Sequence, residues 1–89
     1  MIRVKCLFAG HVQGIGFRYT AQRISVRYEV AGYVKNLPDA RVEVVAEGAE
    51  EAVRAFLAEI RQTMSGCISS CDKTCSDCQN EFSRFEVRF

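Results

Sequence analysis

Ile2-Arg3-Val4-Lys5-Cys6-Leu7-Phe8-Ala9-Gly10-His11-Val12-Gln13-Gly14-Ile15-Gly16-Phe17-Arg18 is the stretch on which the fold turns. Ile2, Val4, Cys6 and Phe8 alternate with Arg3, Lys5 and Leu7, the period of a half-buried strand. From Phe17 the period changes: Phe17, Ala21, Ile24 and Tyr28 fall at helical spacing, with Arg18, Gln22, Arg23 and Arg27 on other faces. Between the two runs stand Gly10, Gly14 and Gly16, so the segment reads as a glycine-rich turn from strand to helix. Glycine admits backbone conformations closed to residues with a Cβ, and such a turn can aim several N–H groups at one point. The N-terminus of the following helix adds partial positive charge and Arg18 a full one. That combination suits an oxyanion, and a phosphoryl group above all.

Outward from this turn the chain reads as a compact series of elements. Val30 to Lys35 is a second strand. Leu37-Pro38-Asp39-Ala40 is a turn, because proline presets φ at its second position and aspartate suits the next. Arg41 to Glu47 is a third strand, with Val42, Val44 and Ala46 on one side, and Gly48 ends it. Val53, Phe56, Leu57, Ile60 and Met64 form the stripe of a second helix, whose N-terminal dipole Glu50 and Glu51 complement. Phe85, Val87 and Phe89 share one face of a terminal strand. The order strand, helix, strand, strand, helix, strand predicts an α+β, ferredoxin-like βαββαβ sandwich: a mainly antiparallel sheet with both helices on one face. Residues 1–89 form one domain on this reading, and only the segment from about Gly66 to Asn80 is poorly determined.

Composition narrows the function. An 89-residue chain has room for one core. Twelve basic against eleven acidic residues leave no net field to draw nucleic acid or membrane. No apolar run approaches a membrane span, and the alternation of residues 1–8 does not resemble a secretory leader. Five cysteines cannot all pair within one chain, which points to a reducing, cytoplasmic setting.

Gly10-x-Val12-Gln13-Gly14-x-Gly16-Phe17-Arg18, followed by Gly32-Tyr33-Val34-Lys35-Asn36-Leu37-Pro38-Asp39 and Val42-Glu43-Val44-Val45-Ala46-Glu47-Gly48, resembles the acylphosphatase family. Glu81-Phe82-Ser83-x-Phe85-Glu86-Val87-Arg88 resembles that family's last strand. The likeness spans nearly the whole chain outside residues 64–80. It implies a hydrolase that splits the mixed anhydride of a carboxylic and a phosphoric acid, with no metal or cofactor, acting as a monomer on a small acyl phosphate. It also implies that Arg18 binds the phosphoryl oxygens together with main-chain N–H groups of Gly14, Ile15, Gly16, Phe17 and Arg18, and that Asn36 orients the attacking water. The chemistry is consistent: phosphoryl transfer is mostly positioning and charge stabilisation, and a carboxylate is a good enough leaving group to need no general acid. A chain with one histidine can therefore still be an enzyme.

The same residues carry plainer readings. Arg18 can be an ordinary exposed arginine, although a cation in a first helical turn opposes the dipole unless an anion compensates. Asn36 can simply open the Leu37-Pro38 turn. His11 reads as a solvated loop residue, Gln13 as a substrate neighbour or a tie within the loop, Phe17 and Tyr28 as core, and Tyr33 without assigned task.

Two features depart from the family pattern. Ala40 stands where the family commonly has glycine, and a positive φ there would strain it by about 1 kcal/mol. Cys67-x₃-Cys71-x₃-Cys75-x₂-Cys78 occupies the region of the family's fourth strand. As a helix it would align Cys67, Cys71 and Cys75 beside one ion. As a strand it holds residues four apart at roughly 13 Å, too far for a shared metal or a disulfide. The sheet needs a strand here, so Cys71 and Cys75 are expected to serve as small apolar residues and Cys6 as core. The alternative function is a non-catalytic anion-binding module whose cysteine segment binds zinc or senses redox state; a carbamoyl-phosphate-directed domain like those opening larger hydrogenase-maturation proteins is a third.

Overall fold

A computed structural model describes residues 1–14 and 16–89. The elements follow in the order β1 (Ile2–Gly10), α1 (Phe17–Ser25), β2 (Val30–Asn36), β3 (Val42–Gly48), α2 (Glu50–Thr63), β4 (Ile68–Asp77) and β5 (Phe85–Arg88). They build one sheet ordered β4-β1-β3-β2-β5. β1 runs antiparallel to β3 and β4, β2 antiparallel to β3, and β5 parallel to β2. This is the predicted ferredoxin-like α+β fold, with the ill-determined segment supplying an edge strand and the terminal strand completing the other edge.

Both helices pack against the face that carries Val4, Cys6 and Phe8 of β1, Val34 of β2, and Val42, Val44 and Ala46 of β3, all fully buried. The strand period of two and the helical period meet there. Phe17, Ala21 and Ile24 from α1 and Val53, Phe56, Leu57 and Ile60 from α2 fill the space. Phe17 joins α1 to β1 through Phe8, ring centroids 5.4 Å apart, and Phe56 joins α2 to β5 through Phe85 at 5.0 Å. Burying a ring the size of Phe17 stabilises by about 2–3 kcal/mol, which anchors the start of the helix that follows the glycine turn.

The helical stripe predicted through Tyr28 ends earlier. Val26 caps α1, Arg27 N–H donates to the Ile24 carbonyl, and Tyr28 N–H to that of Ser25. Tyr28 packs beside Phe56 from the following turn, and its hydroxyl donates to Glu59.

The sheet's other face is less open than its polar alternation suggests. Residues between β4 and β5 cross it, and Phe82 packs edge-on to Tyr33 with Arg3 and Arg88 over its ring. Val45 beneath is fully buried. Glu47, 4 % exposed, fastens the crossing by accepting from Gln79 N–H at 2.8 Å and Glu81 N–H at 3.3 Å, with the Arg3 guanidinium 3.6 Å away.

One prediction about the cysteines needs correction. Cys6 is core and Cys71 is half-buried against it, but Cys75 is exposed. The helices pack on β1, β2, β3 and β5, and Cys75 sits on the rim strand beyond their cover.

Candidate active site

The glycine loop, the start of α1 and the end of β2 meet at one end of the sheet. β1 delivers the loop there because Phe8 pairs with Val42, which pairs in turn with Asn36. His11 N–H donates to the Cys67 carbonyl at 2.8 Å, holding the outgoing chain against the start of β4. Gly14 and Gly16 have φ of 77° and 80°, a left-handed backbone that side chains with a Cβ adopt only under strain. Gly16 is the N-cap of α1, and no side chain among the described residues caps the helix. The first helical main-chain bond runs from Thr20 N–H to the Gly16 carbonyl, so the preceding N–H groups of Gly16, Phe17 and Arg18 are without partners among the described residues. Uncapped donors and the dipole point the same way, toward an anion.

A cleft of about 70 Å³ opens at this point, lined by Val12, Gly14, Gly16, Phe17, Arg18, Tyr19 and Asn36. The structure therefore brings Arg18 and Asn36, predicted 18 positions apart on different elements, to one concavity with Gly14, Gly16 and Phe17. Ile15, predicted beside them, lies outside the described residues. Phe17 contributes its main chain; its ring is buried in the core. Asn36 is half-buried, and its carboxamide has no hydrogen-bond partner among the described residues, although its main chain pairs with Val42.

Arg18 rests against the last strand. Its guanidinium lies 4.5 Å from the centroid of the Phe89 ring and donates to the Arg88 carbonyl at 3.4 Å. Nothing in the local pattern of residues 85–89 signals this contact, which the parallel pairing of β5 with β2 creates. Gln13 is the tie within the loop. Its Nε2 donates to the carbonyls of Leu37 and Arg41, each at 2.9 Å, across the turn that follows Asn36. In that turn Ala40 N–H donates to the Leu37 carbonyl and Ala40 takes φ of 75°, the left-handed conformation in which a Cβ is strained. Asp39 accepts from the main chain and side chain of Arg41, and the main-chain bond foremost holds its carboxyl below the usual range. His11 is exposed.

A larger cavity of about 320 Å³ lies at the opposite end of β1 and β3, where Glu29, Glu47, Gly48, Cys78 and Phe82 are among its walls. Its acidic side chains have the wrong sign for a phosphoryl group. Cys71 and Cys75 are strung along extended β4, and all five cysteines are free thiols. Among the described residues no group of three or more His, Cys, Asp or Glu side chains is placed to share a metal ion. Among the described residues no helix is long and apolar enough to cross a membrane.

The family model described as acylphosphatase matches residues 4–87. An acylphosphatase of Thermus thermophilus is 48 % identical over 62 residues, covering 70 % of each chain. One from Syntrophotalea carbinolica is 37 % identical over 89 residues, covering 99 % of this chain and 97 % of its own. The crystal structure of acylphosphatase from Bacillus subtilis superposes over the full length of both chains with a TM-score of 0.89 at 31 % identity.

Proposed function

Starting from the fact that this chain belongs to the acylphosphatase family, we propose that the cleft at the head of α1 is where it hydrolyses acyl phosphates, with Arg18 and Asn36 in separate roles. The enzyme is a hydrolase acting on acid anhydrides, and its substrates are small acyl phosphates. In our reading the phosphoryl oxygens occupy the cleft and accept from the main-chain N–H groups of the Gly14–Arg18 segment, while the Arg18 guanidinium spans two of them. The carboxamide of Asn36 holds a water on the face of phosphorus opposite the acyl oxygen. That water's oxygen forms the new bond to phosphorus as the bond to the acyl oxygen breaks. The electron pair leaves with the carboxylate, and both of the water's protons end on the phosphate product, which departs as dihydrogen phosphate.

Charge on the equatorial oxygens is the quantity to be stabilised in such a transfer. Helix donors and a guanidinium supply that field from fixed positions, and the weakly basic leaving group asks for no acid. Neither a metal nor a cofactor is needed on this account. The same reading has residues 1–89 working as one monomeric domain in the cytoplasm without nucleic acid; balanced charge and five free thiols support it.

The observation that carries the proposal is the shared cleft: a cation, an uncommitted carboxamide and uncapped helix donors line one small space. Benzoyl phosphate hydrolysis by Arg18→Ala tests it. An arginine acting on a transferring phosphoryl group is worth about 10³–10⁵ in rate, so turnover should fall by about 10³ or more. Wild-type turnover in that variant would end the assignment.

A further inference from the structure

The two ends of an acyl phosphate make different demands, and the cleft meets only one. Its volume is about 70 Å³. At about 10–15 Å³ for each enclosed water, that is room for roughly the five heavy atoms of a phosphate. With the phosphoryl end seated beside Gly14, Gly16 and Arg18, the acyl carbon and its substituent must project through the mouth.

Few side chains are available to meet them there. The side chains of Val12 and Phe17 are buried, and Arg18 and Asn36 are polar. Among the described residues the remaining side chain on the wall is Tyr19, which is 56 % exposed. It follows Arg18 in the first turn of α1, and neither a ring stack nor a hydrogen bond to its hydroxyl occupies it among the described residues. We infer that Tyr19 is the acyl-side contact of the site: its ring forms an apolar wall against which a flat acyl group lies, so the enzyme favours aromatic acyl phosphates over acetyl phosphate. The inference rests on the phosphoryl seat proposed above.

The contact touches a part of the substrate that does not react, so it is made equally in the bound ground state and the transition state. It acts on KM more than on kcat. A ring packed on a ring contributes a factor of about two to ten beyond the area it covers, whereas an acetyl methyl group offers no such stack.

Steady-state kinetics with benzoyl phosphate and acetyl phosphate test this on wild type, Tyr19→Ala and Tyr19→Phe, with inorganic phosphate as competitive inhibitor. Tyr19→Ala should raise KM for benzoyl phosphate about three- to tenfold with kcat nearly unchanged. Acetyl phosphate and the phosphate inhibition constant should move by less than about twofold, and Tyr19→Phe should keep the wild-type preference because the ring carries it. An unchanged benzoyl-to-acetyl ratio of kcat/KM in Tyr19→Ala overturns the inference. So does a Tyr19→Phe variant as impaired as Tyr19→Ala, or weakened phosphate inhibition in either. Failure of the phosphoryl seat itself would show differently, as an Arg18→Ala enzyme still active on both substrates.

Discussion

The side-chain nitrogen of Gln13 lies 2.9 Å from the carbonyl oxygen of Leu37, and the same amide donates to the carbonyl of Arg41 at an equal distance. Those carbonyls bracket the turn that begins immediately after Asn36. Gln13 thereby ties the loop that presents the anion donors to the hairpin that presents the carboxamide. Removing it in Gln13→Ala strips a partner from two carbonyls and should destabilise by about 1–3 kcal/mol. Misplacing a reactive group by an ångström can cost about 10²-fold, so kcat should fall about 10- to 100-fold while inhibition by phosphate persists. Urea unfolding read beside steady-state kinetics checks both parts.

Asn36→Ala separates aiming water from gripping phosphate. The carboxamide holds no structural bond among the described residues, so stability should change by less than about 0.5 kcal/mol. Turnover should drop about 10²-fold for loss of orientation, with the phosphate inhibition constant unmoved. A variant that lost phosphate binding instead would place Asn36 on the anion itself.

Ala40→Gly relieves a left-handed alanine whose φ is 75°. That conformation strains a residue with a Cβ by roughly 1–2 kcal/mol, and glycine's greater freedom in the unfolded chain returns about 0.4–1 kcal/mol of it. The net gain should be on the order of 0.5 kcal/mol, a rise of about 2–4 °C in Tm for a chain of this size. Differential scanning calorimetry reads it directly.

Alkaline stability has a definite sign. Burial first, and the neighbouring Cys71 second, push the Cys6 thiol from 9.0 up to about 12. Burial, then the bond to Glu43, push Tyr33 from 10.0 up to about 12. The native state therefore keeps protons that the unfolded chain loses from about pH 9 to 10 upward. Their contribution is intact below that range and is lost as pH rises toward 12. Urea midpoints should decline across this window. Alkylation of the native protein at pH 8 should label Cys75 fastest and spare Cys6 until the chain unfolds.

What could be read in advance was whatever depends on neighbours in the chain. The alternation from Ile2 to Phe8, the left-handed glycines before Phe17 and the Leu37-Pro38 turn are local, and each is found where expected. The pairing of Arg18 with Asn36 came through family likeness, since no spacing rule joins a helix start to a strand end. Cys75, Val45 and Glu47 mark the boundary. Their surroundings depend on which strand lies at the rim and on a crossing that returns over the polar face, and neither leaves a periodic trace. Arg18 against Phe89 is the same kind of relationship, made by partners with no local pattern in common.

That last contact sets an order of assembly. The guanidinium belongs to the opening third of the chain, yet the surfaces it leans on, Arg88 and Phe89, follow it by about seventy positions. During synthesis the loop and its helix emerge early, and the cation stays unseated until the closing strand docks beside β2. Hydrolytic competence should consequently appear late, once β5 has docked and given the guanidinium its support.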